Sequence, residues 1–84
     1  MPTREDLALT VRTVISDVLG AEPADVHERT VLVDDYGIDS LELMEIGARL
    51  ERTLDLRIEI QDLTEAQNVG HAIDLLQSRL AGRP

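Results

Sequence analysis

Three stretches of this 84-residue chain set aliphatic side chains three and four residues apart. Leu7, Val11, Val14, Ile15 and Val18 share one helical face in the first. Leu43, Ile46, Leu50 and Leu54 do so in the second, and Val69, Ala72, Ile73, Leu76 and Leu80 in the third. This period places the apolar residues along one stripe of a helix. Such a stripe gains stability by packing against another, so three of them predict an all-α bundle. Tyr36 is the only aromatic residue, and the core must be built from Leu, Ile, Val and Ala. The length predicts one domain over residues 1–84, with a frayed tail at 81–84.

The helix ends carry their own signals. Thr3 can cap the first helix with Asp6 at the capping-box position. Gly20 suits its C-terminal turn and Pro23 blocks continuation, so that helix is expected over about Arg4 to Leu19. The second helix is expected over about Ser40 to Thr53, with its stripe packed on the first and last helices. Asn68 can cap the last, over about Val69 to Leu80. Between the first two lies a long connection, Ala21 to Ile38. Pro23 to Val26 can form a short turn there, while Val26, Leu32, Val33 and Ile38 are expected to pin the loop to the bundle. Tyr36 reads as packing, and His27 and His71 as ordinary surface or boundary residues without a second ligand or catalytic partner. Leu54 to Ile60 alternates like a strand. A lone strand would leave its hydrogen bonds unsatisfied, so an extended connection is expected, followed by a short helix near Gln61 to Ala66. A strand there would instead offer edge-to-edge dimerisation.

The stretch Gly37-Ile38-Asp39-Ser40-Leu41 opens the second helix. Asp39 or Ser40 can cap it, and with Asp39 as the cap, Glu42 completes a capping box. On these five residues alone, a well-capped helix start explains everything. The longer run DDYGIDSLELMEIGARLER, Asp34 to Arg52, resembles acyl carrier proteins around their modified serine, where Gly-x-Asp-Ser-Leu opens a helix. Its continuation is most similar to the discrete carriers of bacterial type II polyketide synthases. A helix before the motif, and an Asn-Val helix start with Ala-Ile-Asp-Leu-Leu after it, extend the resemblance over nearly the whole chain.

That resemblance implies a bundle of three main helices and one short helix. It implies that Ser40 receives 4′-phosphopantetheine from coenzyme A through a separate, Mg²⁺-dependent phosphopantetheinyl transferase. Asp39 would cap the helix and help position the transferase's metal. The arm would hold acyl or polyketide chains as thioesters and present them to a ketosynthase, an acyltransferase or other acyl-assembly enzymes. Carriers of peptide synthetases usually show a Gly-Gly-x-Ser-type motif, whereas Asp39 precedes Ser40 here, which favours acyl cargo. An aminoacyl or peptidyl carrier is the nearer alternative; an unmodified helical interaction module is the more distant one. The chain departs from primary fatty-acid carriers at Arg49 and Arg52, where those are more uniformly acidic.

Charge separates the function classes further. Eight Arg against seventeen acids give a net charge of −9, which opposes binding to a nucleic-acid backbone. Six acids and one base lie between Glu28 and Glu45, so the negative charge concentrates around Ser40. Such a surface suits docking to basic patches on partner proteins. Leu41, Met44 and Ala48 form a stripe rotated from the core stripe, bordered by Glu42 and Glu45. It is either a second core face or a partner-docking face. Nothing in the sequence activates Ser40 for catalysis, and no phosphate loop or metal spacing occurs, so a non-enzymatic carrier is expected. The absence of cysteine, of a membrane-length apolar run and of a signal-like N-terminus fits a cytoplasmic protein that avoids membranes, and a monomer is expected.

Overall fold

The computed structural model describes residues 3–82. Three long helices carry the fold: α1 (Arg4–Leu19), α3 (Ser40–Leu54) and α5 (Val69–Ala81). Two short ones, α2 (Leu32–Tyr36) and α4 (Ile60–Glu65), sit in the connections, and a 3₁₀ turn spans Pro23–Asp25. No strand occurs among the described residues; Leu56 to Glu59 is extended chain leading into α4.

Each long helix starts where its polar side chains dictate. Thr3 accepts from the Asp6 amide and Asp6 returns the bond to the Thr3 amide. Asn68 accepts from the amide of His71. His71 Nδ1 in turn accepts from the Gln67 amide at 3.1 Å, so this histidine fastens the turn between α4 and α5. The last helix runs one residue beyond its expected end: Ala81 is helical and Gly82 caps it, while residues 83–84 lie outside the described part.

Helix α1 is the hub, packing on both α3 and α5, and α4 bridges α3 to α5. Leu7, Val11, Ile15, Ile46, Leu50, Ile73 and Leu76 are almost wholly buried at the centre. Leu43 and Leu54 pack on this core only partly buried. The expected packing of the second stripe needs adjusting. It lies on α1 and α4, and it faces α5 largely across a cleft.

The long connection holds the main surprise. A five-residue helix, α2, forms where only a loop was expected. Gly37 ends it with φ 62°, a left-handed conformation that glycine adopts without steric cost, and its amide reaches the carbonyls of Leu32 and Val33. The Asp35 carboxylate accepts from the Val31 amide at the start. Winding into a helix turns Val33 outward, so it is 63% exposed rather than an anchor. Val26 and Ile38 are buried as expected, and Leu32 packs against the core. Tyr36 spans the loop, its hydroxyl donating to the Asp25 carbonyl.

Residues 28–30 are tied to the start of α5. The Val69 amide donates to the Thr30 carbonyl at 3.0 Å and the Gly70 amide to that of Glu28 at 2.8 Å. These two helix-start amides would otherwise lack acceptors. Arg4 closes the same corner, donating to Glu28 at 2.8 Å and to Asp74 at 2.9 Å. The hydrogen bond from Arg4 holds the Glu28 carboxyl below its ordinary value of 4.5. A carboxyl depressed in the folded state stabilises above its unfolded value, and that contribution fades as pH falls through the folded one. Both side chains are partly exposed, so the effect is small. Arg4→Met is expected to flatten the acid side of the stability profile and leave the neutral side nearly parallel. Urea melts above and below pH 4.5 read this directly.

Candidate functional site

Ser40 is the first residue of α3 and is exposed. The geometry before it is set by Asp39, the cap, with extended backbone at φ −99° and ψ 177°. Asp39 Oδ1 accepts from the Glu42 amide at 2.9 Å, and Glu42 Oε1 accepts from the Asp39 amide at 3.3 Å. The capping box expected from the spacing is therefore formed, with Asp39 and not Ser40 as the cap. That leaves the Ser40 hydroxyl with no hydrogen bond among the described residues. The amides of Ser40 and Leu41 likewise lack acceptors, while the Leu43 amide returns to the Asp39 carbonyl. The arrangement is a free hydroxyl at the positive end of a 15-residue helix.

The outer face of α3 begins beside it. Leu41 is 75% exposed and Met44 56%, so the stripe that could have been a second core face is mostly solvent-facing. Ala48 is half-buried. The two acids that border the stripe differ in what they do. Glu42 is spent on the capping box and half-buried, whereas Glu45 is exposed and paired with Arg49 at 2.8 Å. Asp34 on α2 is exposed and makes no side-chain bond among the described residues. No helix of the described residues is long and apolar enough to cross a membrane.

A second feature escaped the sequence reading altogether. An apolar cleft of about 160 Å³ opens between α3 and α5. Val11 and Ile15 of α1, Ile46 and Leu50 of α3, and Leu63 of α4 form its walls, and Ile38 lies at the side nearest Ser40 in sequence. Thr64, Gln67 and Asn68 add polar groups. Periodicity assigns these aliphatic residues to the core, but it gives no sign that the core is incompletely filled.

The family model for the phosphopantetheine attachment site matches residues 10–76. This chain belongs to the phosphopantetheine-binding acyl carrier proteins. The match agrees with relatives along the chain. It is 30% identical over 80 residues to the acyl carrier protein of Thermotoga maritima, covering 95% of this chain and 99% of the relative. It is 31% identical over 75 residues to the meromycolate extension acyl carrier protein of Mycobacterium leprae, covering 89% of this chain and 65% of that one. Among solved structures, BlmI, a type II acyl carrier protein from Streptomyces verticillus involved in bleomycin biosynthesis, superposes with a TM-score of 0.83. It covers 92% of this chain and 89% of its own, at 22% identity, a likeness of fold. The acyl carrier protein of Enterococcus faecalis gives 0.75 at 29% identity, covering 93% and 99%. The bundle of three main helices and a short one, expected from the stripes and the resemblance, is thus the fold of the family, with α2 as a second short helix. Acyl carrier proteins are non-catalytic carriers, and 4′-phosphopantetheine is this carrier's covalent cofactor. A helix start with an unengaged hydroxyl and two unpaired amides fits the anionic phosphodiester of such an arm.

Proposed function

We propose that this carrier bears its phosphopantetheine on Ser40 Oγ and holds polyketide-type acyl intermediates on the arm's thiol. The observation that supports this most is the division of labour at the motif. Asp39 alone caps α3, leaving the Ser40 hydroxyl exposed and unbonded. A phosphopantetheinyl transferase then joins Oγ to the phosphoryl group of coenzyme A that bears pantetheine. The bond from that phosphorus to the nucleotide phosphate breaks, adenosine bisphosphate leaves, and the serine proton passes to a base outside this chain. Asp39 lies beside the reacting hydroxyl, where a carboxylate helps place the transferase's Mg²⁺. The arm supplies the thiol that a chain without cysteine lacks, and the carrier works as one unit in the cytoplasm.

The cleft between α3 and α5 fits the cargo. An apolar cavity of about 150 Å³ takes up benzene, so this one has room for about six aliphatic carbons. Held there, a thioester chain is screened from water, and it returns to solvent when a partner docks. The outer face of α3 makes that contact. Leu41 and Met44 offer apolar area beside the arm, and a flexible thioether adapts to differently shaped pockets. Glu45 supplies charge steering, tempered by Arg49. Glu45→Lys is expected to slow association with a transferase or ketosynthase, more at low salt than at high. Rates independent of salt in both proteins would reduce Glu45 to a solubilising charge. Glu42→Lys is a poorer test, because it also breaks the capping box.

Acyl chain extension other than polyketide assembly is the second reading, favoured by the similarity to the meromycolate extension carrier of Mycobacterium leprae. Intact-mass measurement tests both levels. The purified chain with coenzyme A, Mg²⁺ and a transferase of broad range should gain one phosphopantetheine. No gain would leave a helical interaction module. The mass of the native protein with its thioester preserved distinguishes a polyketide intermediate from a simple fatty acyl group or an aminoacyl group.

A further inference from the structure

We propose that Leu63, seated on Gly47, is the wall that sets how long an acyl segment the cleft can shelter. This rests on the reading that the cleft takes the cargo. Glycine in the middle of a helix is intrinsically unfavourable, and Gly47 lies eight residues into α3 with its position buried. A Cβ built there would stand 3.2 Å from Leu63 Cδ1, tighter than ordinary van der Waals contact. Without that Cβ, Leu63 leans back against the α3 backbone. Its other side faces the cleft, of which it is a lining residue, whereas Gly47 is not. The neighbour of Leu63 on α4, Asp62, is bonded to Arg79 of α5. The leucine therefore rests on the α3 backbone, on a helix that is itself tied to α5 at the preceding residue.

The other aliphatic walls are placed differently. Val11, Ile15, Ile46 and Leu50 are each almost wholly buried and form the core itself, whereas Leu32, Val33 and Leu43, which are less buried, belong to α2 and the first turn of α3, close to Ser40 in the chain. Leu63 is only partly buried and belongs to a helix of six residues. A change at this one position alters the depth of the cleft while leaving the α1 interfaces alone. Gly47 sets the same depth at second hand, through the position it allows Leu63 to take.

The experiment loads the wild type, Leu63→Ala and Gly47→Ala with straight-chain acyl groups from acetyl to dodecanoyl. Each goes on as the acyl-phosphopantetheine arm, transferred from the matching acyl-coenzyme A. Melting temperature is read against the unacylated arm. Burial of each added carbon in the folded state alone raises stability. The wild type should climb with chain length and level off at about six carbons. Leu63→Ala removes three side-chain carbons, so its plateau should come about three carbons later. Gly47→Ala pushes Leu63 toward the cleft, so its plateau should come earlier. Alanine favours the helix, which keeps this variant folded should Leu63→Ala melt too low to measure. Identical plateaus in the wild type and Gly47→Ala, or in all three proteins, would overturn the assignment of Leu63. A wild type whose melting ignores chain length would overturn it too, by removing the cleft as a shelter while leaving the carrier reading intact. Failure of the wild type to accept any arm would instead strike the carrier reading itself.

Discussion

Ser40→Ala is expected to abolish the gain of phosphopantetheine completely while leaving helical circular dichroism and melting close to those of the parent. The hydroxyl is the proposed nucleophile, and no second serine in the chain follows an Asp at a helix start; Ser16 lies buried within α1 and Ser78 within α5. Stability should hardly change, because Ser40 is exposed and its side chain caps nothing. Exposed substitutions of this kind stay within about 0.5 kcal/mol. Asp39→Ala makes the contrast. It removes the side chain that accepts from Glu42, and losing such a cap costs about 1 kcal/mol. That variant should lose stability and modification together. Mass spectra and urea melts on the two variants separate the chemical role of Ser40 from the structural role of Asp39. Persistent mass gain in Ser40→Ala would show that another residue carries the arm.

The second large effect divides α3 by face. Ile46→Ala and Leu50→Ala are expected to cost about 2–5 kcal/mol, the usual range for truncating a buried aliphatic side chain. Both residues are 1% exposed. A domain of this size has few such side chains to spare. Leu41→Ala and Met44→Ala remove side chains that already stand mostly in water, so they should stay within about 0.5 kcal/mol. Their cost should appear in the rate of arm transfer or acyl exchange, the steps in which the proposed apolar contact is made. Melts and transfer rates on these four variants test both halves. A Leu41→Ala protein as unstable as Leu50→Ala would place Leu41 in the core and end its role in docking.

What could be read from the chain beforehand was whatever short-range chemistry decides. Thr3, Asp39 and Asn68 announce their helices because a cap needs only its own next three residues. The bounds of α1 follow from Thr3 and Gly20 for the same reason. Helix α2 stayed hidden because Leu32 to Tyr36 is too short to show a period and contains Val33, a β-branched residue better suited to strands. It forms because Gly37 and Asp35 satisfy its two ends. The outward turn of Val33 was hidden with it, since apolar character alone does not say which way a side chain faces. The corner made by Arg4, Glu28 and Asp74 joins charges far apart in sequence, and no local rule pairs them. At the candidate site, Ser40 and Asp39 were legible through the motif. The cleft was not, because a missing volume leaves no mark on periodicity.

The tether between the loop and the last helix has a consequence for which parts of the molecule open together. Arg4 and Asp74 are 70 residues apart and join α1 to α5, while Val69 and Gly70 reach back to Thr30 and Glu28 in the connection after α1. That corner ties together helices whose buried stripes also pack on one another, so its complete opening goes with global unfolding. The segment from Val31 to Asp39 is bonded differently. Its backbone bonds join residues within α2 and its turn up to Ile38, the Asp39 carbonyl accepts from the Leu43 amide of α3, and the Tyr36 hydroxyl reaches back only to Asp25. In the language of foldons, opening this segment would uncover Leu32 and Ile38 from the core and leave the α1–α5 corner bonded, the pattern of a sub-global event. Ser40, the proposed root of the arm, therefore follows a segment held mainly by its own local hydrogen bonds, and a partner that reshapes the approach to it need not part α1 from α5.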